Sequence, residues 1–492
     1  MTEPELAARI IDALLRENYG GLADRTTDRA TDGTCLRLDD GTILPLEPDG
    51  FQASYRVRRQ ALTIADALRI LDAIADPRDA VGIAAFKTEC RQALKEMRMR
   101  ATHPLATGYD AVAAALPHPV YPASPCHPGL SDDDVLRYAP EFSPGFELNW
   151  AAVSDVTETA TTPPWWPSHD VVGLRPGDGT HLFPVHPLTA RDALPPRAVL
   201  APRTHLHVRP TLSMRTVRVT PNEHLKLPVP VATLGMRNFR SLVPRTLADG
   251  ALVHTILTSV AEQVDGLVLA DDSGYAHADH PFLGYLHRRI PPGAENAIPV
   301  AAINAPGVIA DRDSFLKAYF DLLFRVHVRL VARYGIALEA HQQNAAVIPG
   351  DPMRLMVKDY DGTLIHLRRL TDALGDDAPP AAAFADKRMI TSSDDALNAV
   401  FITIVLHLCT GAIAVTPAER ALASAALAEA LDSEPAAAPL RRALAADRLP
   451  VKAMVTAGTL VDKARTGASD INKFYLTTGP NYLREDSWTR GK

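Results

Sequence analysis

LEAHQQNAAV, residues 338–347, sets Glu339, His341, Gln342, Gln343 and Asn344 between apolar neighbours, with Leu338 before them and Ala345, Ala346 and Val347 after. Burying so many proton-transfer and metal-liganding groups costs stability unless each finds a partner. A strand here puts Glu339, His341 and Gln343 on one face, with Asn344 following. In MVKDYDG, residues 356–362, Asp359 ends an apolar run just before a turn. A β-hairpin then brings Asp359 back beside the first strand. Amide and carboxylate oxygens meeting there suit Mg2+, which takes a few hard oxygens and shares the rest of its shell with phosphates and water. The competing reading is a satisfied core histidine within a buried amide network.

Outward from this stretch the chain falls into three parts. Residues 1–117 show helical spacing, as in Leu6, Ile10, Ile11, Leu14 and Leu15, interrupted by CLRLDDGTILPL, which alternates about an Asp-Gly turn and predicts a hairpin. Residues 118–390 are rich in short strand-like runs, among them HLFPVHPL, HLHVRPTLSMRTVRV, EHLKLPVPVATL, GIALEAHQQNAAVI and MRLMVKDYDGTLIHL. DSFLKAYFDLLFRVHVRLVARYG predicts a long amphipathic helix that leads into the opening stretch. Residues 391–492 read as mostly helical. The pattern predicts an α+β fold with a central catalytic region between two helical ones.

Two further clusters carry positive charge. In PTLSMRTVRV, residues 210–219, Ser213, Arg215 and Thr216 offer two hydroxyls and a guanidinium fork suited to a phosphate or carboxylate, and a strand puts Ser213 and Arg215 on one face. The alternative is an exposed strand with alternating polar residues. In EHLKLPVPVATLGMRNFR, residues 223–240, Lys226 and Arg237 flank an apolar run interrupted by Thr233. Cations so placed require an anion, from the protein or from a ligand.

The balance of 51 Lys and Arg against 58 Asp and Glu argues against a nucleic-acid partner. The four cysteines form no C-x-x-C pair, and MTEPELAARIIDALL lacks the basic start of a signal peptide, so a cytoplasmic protein is expected. AVFITIVLHLCTGAIAVT, residues 399–416, approaches the length of a membrane span, but His407, Thr410 and Gly411 interrupt it and no cation flanks it; a buried core helix is expected and no membrane partner. P-loop, dinucleotide-binding, nucleophile-elbow and H-E-x-x-H signatures are missing. The clusters together are those of an ATP-using enzyme without a P-loop.

In order, Ser213-Met214-Arg215-Thr216, His224-Leu225-Lys226-Leu227, Thr233 to Arg237, Glu339 to Asn344 and Lys358-Asp359-Tyr360 resemble the IucA/IucC family of NRPS-independent siderophore (NIS) synthetases, and YAPEF at 138–142 and FPVHPL at 183–188 are similar to its landmarks. The helical tail resembles the family's FhuF-like C-terminal region. The resemblance implies a cupped-hand fold with a kinase C-lobe-like palm, a homodimer, and an enzyme of iron acquisition. Such enzymes adenylate a carboxylate of citrate or a related polycarboxylic acid with ATP and Mg2+, then condense it with an amine, an amino acid or a hydroxyl. Carried over by position, Ser213, Arg215, Thr216 and Lys226 hold the triphosphate, with Gln343 and His127 also at the nucleotide. Arg237, His341 and Thr233 meet the reacting carboxylate, and His341, Arg237 and Lys226 serve catalysis. Asn344 and Asp359, with Glu339, hold the metal.

One departure stands in SPCHPGLSDDD, residues 124–134, where the family pattern is G-H-P-x-H-P-x-x-K-x-R-x-G: His127-Pro128 survives, but Ser124 replaces a histidine and Asp132, Asp133 and Asp134 stand near the basic pair's place. An acidic run at the site would attract a substrate with a protonated second amine; the alternative is a helix cap. Two other functions use the same residues: a ligase or kinase working through an acyl phosphate, and a non-catalytic polycarboxylate or siderophore-binding protein.

Overall fold

The long helix ahead of the opening stretch forms over Arg312–Tyr334 in a computed structural model that describes residues 1–483 apart from 30–32, 59–60, 160–161, 176, 178, 469 and 471–472. Asp311 starts it by accepting the Ser314 backbone N–H at 3.3 Å. Gly335 ends it at φ 67°, where a Cβ would stand 2.8 Å from the Cβ of Arg369. Leu316, Phe320, Phe324, Val326 and Leu330 are buried in the larger core, and each such side chain contributes about 1.5–3 kcal/mol by leaving water. The sharp stop at Gly335 delivers the chain into the strand Ile336–Ala337 and then directly into LEAHQQNAAV.

Two sheets dominate the middle of the chain. The larger has seven antiparallel strands in the order Phe146–Glu147, His207–Pro210, Thr216–Thr220, Glu223–Lys226, Leu283–Arg289, Asp271–His280 and Thr157–Glu158. The smaller runs Leu267–Leu269, Arg354–Val357, Ala345–Ile348 and Ile298–Pro299, and its first pair is parallel. The chain steps from Leu269 in one sheet to Asp271 in the other across the single residue Ala270, so the two share a corner.

The fold is α+β, with antiparallel sheets between helical parts. Several runs expected as single strands are divided. GIALEAHQQNAAVI is strand only over Ile336–Ala337 and Ala345–Ile348, and residues 338–344 form a loop and turn. HLHVRPTLSMRTVRV folds back on itself, with residues 211–215 as the turn between His207–Pro210 and Thr216–Thr220. EHLKLPVPVATL keeps strand only over Glu223–Lys226, because the prolines after it remove ladder donors. CLRLDDGTILPL forms its hairpin, Gly33–Arg37 with Ile43–Pro48, inside a four-stranded antiparallel sheet. The C-terminal part includes a hairpin absent from the helical reading, Arg448–Lys452 with Tyr475–Pro480.

The apolar segment near residue 400 is helical over Asp394–Gly411, long and apolar enough to cross a membrane, but 78% of it is buried inside the protein. Tyr319 Oη donates to the Cys409 carbonyl at 2.7 Å, which ties this segment to the core helix.

His327 lies 1% exposed on that core helix, and its Nε2 has no hydrogen-bond partner among the described residues. Burial pushes its pKa down to about 4, so the unfolded chain binds the proton and the folded chain does not. Its share of stability is complete above the unfolded value near ~6.5 and is lost as pH falls toward about 4. His327→Leu removes that loss. Denaturant melts at pH 8 and pH 5 are expected to show the variant gaining about 2 kcal/mol on wild type at the lower pH; an equal gap at both pH values rules out this source of acid sensitivity.

Candidate active site

A cavity of about 460 Å³ opens where the two sheets, the 338–344 loop and the C-terminal hairpin meet. The turn at 211–215 forms one wall. Thr211 N–H donates to the Thr216 carbonyl at 2.8 Å, Thr216 N–H to the Ser213 carbonyl at 3.0 Å, and Leu227 N–H to the Arg215 carbonyl at 2.7 Å. These bonds place Ser213, Arg215 and Thr216 on the cavity. A turn gathers them, not the shared strand face expected from the alternation. Arg215 Nη1 donates to the Ser241 carbonyl at 2.9 Å, and burial lowers its pKa against the pull of Asp359 and Asp361.

Sheet register gathers the next charges. Lys226 stands opposite Thr216 on one side and Leu286 on the other, while His224 stands opposite Arg288, so Lys226, His224 and Arg288 share a face. Lys226, 1% exposed, is hydrogen-bonded to Asp359 and lies 3.5 Å from Asp361. It does not border the cavity; it stands behind Asp359. Arg288 is bidentate on Asp272, at 2.6 and 2.7 Å, and Asp272 also accepts the Asp359 backbone N–H at 2.8 Å. Asp359 is held at φ 68°, in the left-handed region. Burial alone would raise its pKa, but Lys226, Arg288 and Arg215 outweigh this and hold it far below the carboxylate range.

The hairpin of Ala345–Ile348 with Arg354–Val357 pairs Ala345 with Val357, and Lys358 N–H donates to the Asn344 carbonyl at 3.1 Å, so Asp359 returns beside Asn344. Glu339, His341, Gln343 and Asn344 all border the cavity. His341 accepts the Gln343 N–H on Nδ1 at 3.2 Å, which puts the proton of the neutral ring on Nε2, 3.4 Å from the Asn344 amide nitrogen. Burial, and then Lys452, push its pKa down to about 3. At neutral pH it is therefore an uncharged hydrogen-bond donor and carries no spare proton for an oxyanion.

One position needs correction. Arg237 does not reach the cavity: its side chain donates to the Ala457 carbonyl at 3.1 Å and its N–H to Gly458 O at 2.9 Å, which ties this loop to the C-terminal part. Arg240, three residues on, takes the place expected of it and donates to Thr233 Oγ1. Burial, and then Arg215, push Arg240 down to about 9. Among the described residues neither Arg215 nor Arg240 has a carboxylate within ion-pair distance. Glu339 borders the cavity with Asn344 and Asp359. Its Oε2 lies over Gly362, where a Cβ would approach it to 1.8 Å. Burial raises its pKa against Lys452 and Lys473.

The SDDD run is a helix cap. Ser131 Oγ accepts Asp134 N–H at 3.2 Å to start Asp132–Tyr138, Asp132 pairs with Lys95 at 2.5 Å, and Asp134 pairs with Arg191 at 2.8 Å. None of the three acids borders the cavity. Its walls also hold Arg288, Lys358, Lys452 and His118, missing from the sequence reading. Lys358 adjoins Asp359 in the motif and was within reach. Arg288 and Lys452 carry no local signal, since only sheet register and the C-terminal hairpin bring them in.

A family model described as the IucA / IucC family matches residues 112–305, and one described as Ferric iron reductase FhuF-like transporter matches residues 313–457. The chain is thus similar to the IucA/IucC family in its middle and to the FhuF-like family after it. Rhizobactin siderophore biosynthesis protein RhbC of Rhizobium meliloti is 25% identical over 334 residues, 55% of this chain and 57% of that protein. The chain spans about half the length of the curated relatives it matches. Petrobactin biosynthesis protein AsbB from Bacillus anthracis superposes with TM-score 0.74 at 14% identity, covering 98% of this chain and 96% of that one. ATP-bound aerobactin synthetase IucA from Klebsiella pneumoniae superposes with TM-score 0.70 at 16% identity, covering 97% and 99%. These likenesses show a common fold.

Removing Asp272 takes away both hydrogen bonds to the buried Arg288 guanidinium and leaves it only Asp359, at 3.6 Å, so Asp272→Ala is expected to cost about 3–5 kcal/mol in a denaturant melt. A cost under ~1 kcal/mol would mean the pair is not the joint between the sheets. Arg240→Ala is expected to weaken binding of an anionic substrate by roughly tenfold to a hundredfold, while Arg237→Ala leaves it within about twofold. Direct titration calorimetry on both variants checks this, and the reverse order would restore Arg237.

Proposed function

We propose that this protein is an ATP- and Mg2+-dependent NIS synthetase that activates a carboxylate of citrate or a related polycarboxylic acid as an acyl-adenylate and transfers the acyl group to an amine. The observation that carries the reading is the pair of half-buried guanidiniums, Arg215 and Arg240, that border the cavity with only neutral oxygens as hydrogen-bond partners. Half-buried cations with no carboxylate in ion-pair contact fit anionic ligands. The likeness to RhbC, a siderophore biosynthesis protein, and to ATP-bound aerobactin synthetase IucA supports the same reading.

In this mechanism Ser213, Arg215 and Thr216 take the phosphates, and Lys226, held behind Asp359, is a preorganised charge that fixes that carboxylate as pyrophosphate leaves. Arg240, steadied by Thr233, holds the reacting carboxylate against the α-phosphate. His341 donates Nε2–H to an anionic oxygen without changing its own charge. Gln343 supports the loop that fixes His341. The oxygen donors suit Mg2+: Asp359, kept ionised by its cations, and the Asn344 amide fit a hard metal, with the Glu339 carboxylate on the same cavity. Bound there, the ion would neutralise phosphate charge. The attacking amine must arrive uncharged, and the acyl group passes to it with release of AMP.

Incubation with ATP, Mg2+ and a panel of polycarboxylic acids, with hydroxylamine as the nucleophile, is expected to give acid-dependent pyrophosphate and a hydroxamate. Orthophosphate in place of pyrophosphate identifies an acyl phosphate instead, and ATP consumption indifferent to every acid overturns the synthetase reading. Lys226→Ala is expected to fold and to lose at least about a hundredfold in pyrophosphate release, the usual effect of removing one preorganised charge; a folded variant of unchanged rate removes Lys226 from the chemistry.

A further inference from the structure

The helix Ala80–Thr102 reaches residues of the cavity wall through Glu89, Glu96 and Arg100. There Glu96, 0% exposed, accepts the His127 backbone N–H on Oε1 at 2.9 Å and the ring Nδ1–H on Oε2 at 3.0 Å. Gln92 donates to the same Oε1 at 3.0 Å, so the carboxylate cannot turn away. One turn on, Arg100 donates to Glu141 at 3.0 Å and to the Pro125 carbonyl at 3.0 Å, and stands 3.8 Å from Glu96. His127 and Glu141 both border the cavity.

The cluster's charge decides what His127 does. Two carboxylates and one guanidinium leave one negative charge over in a buried setting, and His127 is the remaining basic group in contact with them. The ligand atoms of Glu96, His127 and Glu141 lie within 4.8 Å of one another. A divalent ion would nonetheless face the Arg100 guanidinium already on both acids. With Nδ1 committed to Glu96, Nε2 is the ring nitrogen left for the cavity, and in the imidazolium it donates.

We infer that Glu96 is a positioning residue that holds His127 as a cationic donor at the cavity wall, with Nε2–H presented to an anionic oxygen of a substrate. The identity of that anion, a carboxylate of the acid or a phosphate of the nucleotide, rests on the synthetase reading; the Glu96–His127 coupling does not. Burial by itself would lower the His127 pKa, but Glu96 and then Glu141 outweigh it and Arg100, so the ring titrates above its ordinary value. Burial would likewise raise Glu96, and His127 holds it below the carboxylate range. Beside them the Cys126 thiol is pushed up by burial and stays uncharged.

The test has a spectroscopic arm and a kinetic arm. In histidine-labelled protein, the His127 ring signal is identified by its loss in His127→Gln and titrated by NMR. The midpoint is expected above about 6.5 in wild type and lower by about one unit or more in Glu96→Gln. A midpoint below that value in wild type, or one unmoved in Glu96→Gln, overturns the inference, since a merely structural Glu96 would change melting and leave the midpoint in place. If Glu96→Gln does not fold, Glu96→Asp, which withdraws the carboxylate by one methylene, is compared with wild type in the same way. In initial-rate assays both His127→Gln and the Glu96 variant are expected to raise KM for one anionic substrate by roughly tenfold to a hundredfold. A rise for the acid assigns a carboxylate and a rise for ATP assigns a phosphate, while no rise for either in His127→Gln overturns the inference. Wild-type protein inert toward ATP and every acid counts against the synthetase reading alone, and the NMR midpoint then decides the Glu96–His127 coupling by itself.

Discussion

Asp272 binds three donors at the corner where the two sheets meet: both arms of Arg288 and the backbone N–H of Asp359. Arg288 belongs to the seven-stranded sheet, and Asp359 lies just past the end of a strand in the smaller one. One carboxylate thus fixes the distance between the sheets and the φ of Asp359, and through Asp359 the position of Lys226. Loss of that carboxylate would leave a guanidinium that is 2% exposed with Asp359 alone, at 3.6 Å. The corner explains why a left-handed aspartate, a conformation that costs on the order of 1–3 kcal/mol where the surroundings do not enforce it, persists here.

The charges around the cavity sort into two sets. Lys226, Arg288 and Asp359 are paired with one another or with Asp272, and together they keep Asp359 an anion in a place where burial favours its neutral form. Arg215 and Arg240 have only carbonyl and hydroxyl oxygens as hydrogen-bond partners and border the cavity, and Arg215 also helps keep Asp359 charged. His341 belongs to neither, because burial and Lys452 have removed its charge and left it a neutral donor.

Much of the site was legible because its parts are local. Ser213, Arg215 and Thr216 lie within one turn, and the apolar run before Asp359 with the apolar run after Asn344 could pair only as a hairpin. The face-sharing argument failed for Glu339, His341 and Gln343, since residues 338–344 are a loop closed by the Asn344 and Ala345 N–H bonds to the His341 carbonyl. Arg237 and Arg240 were not separable by pattern: both are cations in one R-N-F-R run, and the Ala457 carbonyl that takes Arg237 away lies more than two hundred residues downstream. The SDDD run looked like a steering patch or a cap, and Lys95 and Arg191, the partners that decide it, are distant in sequence.

By itself the sequence determined the α+β class, the order of the motifs, the long core helix with its glycine stop, and the types of group the site would hold, because periodicity and turn chemistry act over a few residues. Only the tertiary structure decided which cation faces the cavity, that Lys226 stands behind Asp359, that Lys452 arrives from a C-terminal hairpin, and that Glu96 holds His127. Those choices depend on sheet register and on ion pairs across the chain. Their energies come from burial and from a charge's distance to its partner, and neither quantity exists until the chain has closed on itself.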